Sequence, residues 1–118
     1  MSLLADERRQ HPRYELDNSV LVLASGIFQV TDLSSGGLCF KCPPYTSIDD
    51  FWEADILTSA ANLEGFPGKR VWISIPENGS HEFLPIVVGA KFGRLTKKQN
   101  GRLSQLIKEL SRKNSSKQ

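Results

Sequence analysis

From residue 20 to residue 94 the chain is cut into short β-branched and apolar runs, each closed by glycine or proline. Residues 20–24 (VLVLA) and 27–31 (IFQVT) flank Ser25-Gly26, which is a hairpin signal. A third run, Leu38 to Cys42, follows Gly36-Gly37 and stops at Pro43-Pro44, where φ becomes fixed and backbone donors are lost. Residues 51–57 fit a strand or a short helix equally poorly, and Gly65, Pro67 and Gly68 read as a turn. Arg70 to Ile75 alternates as a strand, Asn78-Gly79 turns the chain toward Phe83, and residues 84–94 complete the β pattern. Gly89 within that last run marks a bulge or a close approach by another backbone or by a ligand.

At Thr96 the period changes. Thr96-Lys97-Lys98-Gln99 reads as a capping box, and Leu103, Leu106, Ile107 and Leu110 recur at helical spacing, with Gly101 as the weak point of the helix. About six strands and one late helix suit a small antiparallel barrel or a sandwich, the helix covering an open end. A chain of 118 residues can bury one core, so one domain is expected. Residues 1–14 read as a mobile arm, 15–112 as the β unit with its helix, and 113–118 as a frayed tail.

Composition narrows the function classes. A hydrophobic share of 39% and a charged share of 24% belong to an ordinary globular chain rather than a disordered one. No apolar run approaches the roughly 18 residues that cross a bilayer, and Met1 to Ala5 runs straight into Asp6 and Glu7, so a cytoplasmic protein without membrane insertion is expected. The net charge of +2 is too small to argue for strong nucleic-acid binding, although residues 91–118 carry nine Lys or Arg against one Glu. That basic end reads first as a solvated face. Cys39 and Cys42 form a C-x-x-C, but an odd offset on a strand sends the two sulfurs to opposite faces, which suits two reduced structural thiols and neither a metal nor a disulfide. The two histidines, His11 and His81, sit in no nucleophile or metal-ligand pattern, so no enzymatic activity and no cofactor is expected. Trp52 and Trp72 could stack on bases, and beside apolar strands they read first as core.

Two polar stretches remain. Residues 7–14, ERRQHPRY, place Arg8, Arg9 and Arg13 around Pro12, which biases His11 toward extended backbone and keeps the segment out of a helix. If it is extended, Arg9 and Arg13 point to one side about 13 Å apart. Guanidinium groups grip phosphate or the guanine O6/N7 edge in a fork and stack on planar rings. As lone surface cations they would pair with Glu7, Glu15 or Asp17 to little effect. In Thr31-Asp32-Leu33-Ser34-Ser35-Gly36-Gly37, Asp32 and Ser34 fall at i and i+2 before glycines that let a ligand approach the backbone. An ionised carboxylate only accepts hydrogen bonds and so matches the N1-H and N2-H donors of guanine; the same residues could instead form a side-chain-closed turn before a glycine corner.

Arg9-x-x-x-Arg13 followed by Asp32-x-Ser34-x-x-Gly37 resembles the paired hallmarks of the PilZ domain, and Val88 to Phe92 with the helix after it is similar to the closing strand and helix of that family. The likeness is good over residues 7–42 and 86–110, and only generic over 43–83. The resemblance implies a mainly β fold, a six-stranded antiparallel β-barrel with a C-terminal α-helix, that binds the bacterial second messenger cyclic di-GMP. By that resemblance Arg9 and Arg13 would clasp guanine and phosphate, Asp32 and Ser34 would bind a guanine edge, and Gly37 would keep the surface open. Arg8 stands where similar members that take up a stacked pair of ligand molecules carry a residue of the same kind. The candidate ligand set is then Arg8, Arg9, Arg13, Asp32, Ser34, Gly36, Gly37 and Gly89.

The implied device is a switch, in which a doubly anionic ligand orders the cationic arm against the barrel and a downstream protein effector reads the altered surface. Two other readings stay open: a PilZ-like adaptor that works by protein contacts without ligand, and a basic barrel that binds single-stranded nucleic acid through its aromatics.

Overall fold

The structure, a computed structural model, describes residues 12–76 and 83–116. Seven strands occur among them: β1 (Tyr14–Glu15), β2 (Val20–Leu23), β3 (Gly26–Leu33), β4 (Gly37–Cys42), β5 (Phe51–Leu57), β6 (Asn62–Ser74) and β7 (Ile86–Phe92), followed by one helix, α1 (Lys97–Ser116). All pairings are antiparallel and run β3-β2-β5-β6-β7-β4, and the β3–β4 pairing returns to the start, so six strands close a barrel. Closure removes the open edges that an antiparallel sheet would otherwise present. The seventh strand, β1, adds to the end of β3 that β2 leaves unpaired, with Tyr14 opposite Leu33 and Glu15 opposite Asp32. A strand of two residues leaves no period to read, which is why the sequence does not announce it.

Alternation builds the core. Leu21 and Leu23 of β2, Phe28 and Val30 of β3, Leu38, Phe40 and Cys42 of β4, and Val88 and Ala90 of β7 all point inward and are buried. Residues 51–57 settle as a strand, since Ala54 and Ile56 face this core while Phe51, Glu53 and Asp55 face out. The turn expected at Gly65, Pro67 and Gly68 is not there: all three lie inside the long strand β6, and the chain reverses earlier, where the Thr58 amide and hydroxyl both bond the Ala61 carbonyl. Each breaker has a local reason to be tolerated. Gly65 takes φ 63° beside the register shift between β5 and β6, Gly68 leaves room for the Trp52 ring, and Pro67 contributes its carbonyl to the Gly93 amide.

The capping box forms as read, with the Gln99 amide bonding Thr96 Oγ1 at 3.1 Å and the Thr96 amide bonding Gln99 Oε1 at 2.9 Å. Gln99 Nε2 also donates to the Glu64 and Gly65 carbonyls, at 3.1 and 3.0 Å, so the cap fastens α1 to β6. Leu103 and Leu106 complete the core from that side, and the helix runs on to Ser116, into the stretch read as frayed. Among the described residues no helix is long and apolar enough to cross a membrane.

Cys42 sits in the core at 0% exposure, and burial pushes its thiol up from the ordinary 9.0 to about 11. The thiol is harder to ionise in the folded chain, so its stabilising contribution is complete below pH 9 and is lost as pH rises toward 11. Urea midpoints should therefore fall between pH 9 and pH 11, and Cys42→Ala should flatten that decline. An equal decline in the variant would show that other groups cause it.

Candidate ligand-binding site

One row of outward residues crosses four neighbouring strands of the barrel. Asp32 of β3 is in register with Cys39 of β4, Cys39 with Gly89 of β7, and Gly89 with Trp72 of β6. Two of these side chains owe their direction to bulges. Phe28 and Val30 point inward, so plain alternation would send Asp32 inward as well; the register shift between Val30 and Asp32 turns it out and returns Leu33 to the core. Phe66 and Gly68 likewise set an inward parity on β6 that would include Trp72. The shift between Arg70 and Trp72 reverses it, leaving Trp72 on the outer face and 40% exposed. Trp72 is thus a surface residue, against its reading as core, whereas Trp52 packs inward and edge-on to Phe40.

Gly89 is what lets the indole lie down. A Cβ built there would run into Trp72, so the glycine marks a close approach by a side chain rather than by backbone or ligand, and the bulge lies on the strand opposite.

Arg13 reaches the same face. It directly precedes β1, whose pairing with the end of β3 and whose Leu16 amide bond to the Thr31 carbonyl hold the chain beside the β3–β4 hairpin. Its Nη1 lies 4.0 Å from Cys39 Sγ, the neighbour of Asp32 in the row. The Asp32 carboxylate is half-buried and accepts a long 3.5 Å contact from the Thr31 hydroxyl. Ser34 is otherwise occupied: its Oγ accepts the Gly36 and Gly37 amides, each at 3.2 Å, closing the hairpin turn on itself. The turn reading therefore holds for Ser34 and not for Asp32. The Gly36 carbonyl accepts the Phe92 amide, and a Cβ on Gly37 would strike the Ala90 carbonyl, so the room at Gly37 is taken first by β7. Arg8, Arg9 and His11 lie outside the described residues.

The neighbouring outward positions are mostly cationic. Lys41 and Val87 flank the row on one side, and Lys69, Lys91 and Gly37 on the other. Against Arg13 and these lysines stand the carboxylates of Asp32 and its register partner Glu15. An acceptor-only carboxylate, a guanidinium and an exposed indole along one row of a sheet face can recognise a flat ring that carries N-H donors and an anionic tail. Among the described residues no group of His, Cys, Asp and Glu is placed to hold a metal ion. The outer-face lysines had no signal in the sequence, and Trp72 carried only its weaker base-stacking reading, because the direction of these side chains is set by strand pairing.

A closed antiparallel barrel of six strands followed by a C-terminal helix, with Arg13, Asp32, Trp72, Lys69 and Lys91 on one outer sheet face, is a small β-barrel domain. The chain belongs to the PilZ domain family, whose family model matches residues 7–109. Among solved structures it is similar to the PilZ domain with c-di-GMP of YcgR from Escherichia coli, at 16% identity and a TM-score of 0.68 over 93% of this chain and 96% of that one. It is also similar to the K. pneumonia MrkH–c-di-GMP complex, at 15% identity and a TM-score of 0.77 over 94% of this chain and 56% of that one. The YcgR complex with c-di-GMP from Escherichia coli matches at 18% identity and a TM-score of 0.70, over 93% of this chain and 49% of that one. This chain thus spans about half the length of the two longer proteins. Among curated proteins none matches.

Proposed function

We propose that this chain is a non-enzymatic cytoplasmic receptor for cyclic di-GMP, and that ligand capture by the N-terminal arm signals to a protein effector. The observation that carries the reading is that Arg13 and Asp32, from motifs far apart in sequence, both neighbour Cys39 on the one outer face that also carries Trp72. The Asp32 carboxylate accepts the N1-H and N2-H pair of a guanine, Arg13 forks onto guanine or phosphate, and Trp72 offers a stacking surface. Arg9, and Arg8 before it, add further guanidinium groups from the arm. Ser34, Gly36 and Gly37 shape the turn that holds Asp32 in place, and Gly89 seats the indole. Ordering the arm offsets part of the affinity, at about 1–2 kcal/mol per residue fixed, so binding of moderate strength is in keeping with the device. The similarity to YcgR and MrkH structures that contain c-di-GMP supports the choice of ligand.

Calorimetric titration with cyclic di-GMP, with GMP as control, tests this. Arg9→Ala, Arg13→Ala and Asp32→Ala should each weaken binding by more than about 1.5 kcal/mol, the scale of a lost charged hydrogen bond. Trp72→Ala should weaken it by about 1–3 kcal/mol, the range for one base stacked on an aromatic ring. Unchanged affinity in the three charge variants leaves the adaptor reading in its place. A steep salt dependence with equal affinity for oligonucleotides favours the nucleic-acid reading.

A further inference from the structure

The row beside Asp32 and Trp72 carries a charge arrangement that folding alone does not call for. Lys69 of β6 and Lys91 of β7 are directly opposed in register, both exposed and both on the outer face. Like charges placed opposite each other destabilise a strand pair. The nearby Arg70 is neutralised, its Nη2 lying 2.7 Å from Asp50 Oδ1. Lys91 has no carboxylate within ion-pair distance among the described residues. Lys69 is engaged on the far side, its ammonium 5.7 Å from the centroid of the Phe51 ring on β5. On the other side Lys91 is in register with Gly37, which has no side chain to cover it or to compete for it.

We propose that Lys91 is a phosphate-holding residue of the same outer-face site, with Lys69 adding to the field behind it. This rests on the cyclic di-GMP reading and extends it from the guanine end to the phosphate end of the ligand. Lys91 lies two residues along β7 from Gly89, about 6.6 Å at the strand rise. That span is within the reach of a lysine side chain. A ring stacked on Trp72, whose indole lies over Gly89, therefore has the Lys91 ammonium within reach of its anionic part. The ammonium is a point charge with three rotatable donors, suited to a phosphate oxygen whose direction is not fixed by a fork. Binding there also relieves the Lys69–Lys91 repulsion, so the free site stays open to an anion.

The test is titration of the full chain with cyclic di-GMP at several salt concentrations. Lys91→Gln should bind about tenfold more weakly, the effect of one charge-assisted hydrogen bond, and with a shallower salt dependence. Lys91→Arg should restore most of the affinity, which a merely structural role at an exposed position would not require. Lys108→Gln, on the exposed side of α1, is the control for net charge and should bind as the unaltered chain does. Lys91→Gln within twofold of the unaltered chain, or no weaker than Lys108→Gln, overturns the proposal. If the unaltered chain does not bind cyclic di-GMP at all, the receptor reading falls and this one with it. If it binds and only the Lys91 variants are silent, this one falls alone.

Discussion

Phe40→Ala is expected to lower the free energy of unfolding by about 3–5 kcal/mol, the range for emptying a large buried aromatic site. Phe40 is fully buried in β4, the strand that pairs with both β3 and β7 and so closes the barrel. Its ring lies 5.9 Å from that of Phe28, tilted by 39°, and 6.1 Å from that of Trp52, edge-on at 87°. Those partners come from β3 and β5 and are held by closed pairing on both sides, so the wall cannot collapse into the space left behind. A domain of this size is stable by about 5–15 kcal/mol, which makes the loss at least about a fifth of the total. Urea unfolding followed by tryptophan fluorescence measures it directly. A cost under about 1.5 kcal/mol would mean that the core relaxes around the gap and is not packed as described.

Gly37→Val should cost about 3 kcal/mol, at the upper end for overpacking, and should abolish ligand binding as well. The added atoms meet the Ala90 carbonyl, which is backbone and cannot swing aside. Nor can Gly37 retreat, because the Gly36 carbonyl is bonded to the Phe92 amide at 2.9 Å and the Gly37 carbonyl to the Ser34 amide at 2.8 Å. The strain falls on the hairpin that carries Asp32. Gly89→Ala offers the contrast: its Cβ meets the indole of Trp72, a half-exposed side chain that can turn out into solvent. Stability should change little there, while affinity for cyclic di-GMP drops because the stacking surface has moved. Equal stability losses at the two glycines, seen in thermal unfolding, would contradict this division between backbone and side-chain clashes.

Features that sit close together along the chain were open to reading. The Thr96–Gln99 cap, the helical spacing of Leu103 and Leu106, and the hairpin between β2 and β3 each need only a few neighbouring residues. The cysteines point to opposite sides of β4 as their odd spacing requires, Cys42 into the core and Cys39 to the outer side, where it is nonetheless buried. Gly65, Pro67 and Gly68 misled for the converse reason. Their usual meaning as breakers holds for an isolated chain, and here a bulge, a packed indole and a carbonyl bond to Gly93 accommodate them within β6.

The amino-acid order was sufficient for the elements with local causes: a strand that stops at Pro43-Pro44, a hairpin across Ser25-Gly26, and a cap that bonds to itself. It could not say which way Asp32 and Trp72 face. Alternation places both inside, and one extra residue in each of β3 and β6 reverses them. Whether a bulge forms depends on the partner strand, because the extra residue is defined by what stands opposite it. The outer-face row that unites Asp32, Gly89 and Trp72, and the opposed lysines beside it, exist only once the barrel has closed and brought β3, β4, β7 and β6 side by side.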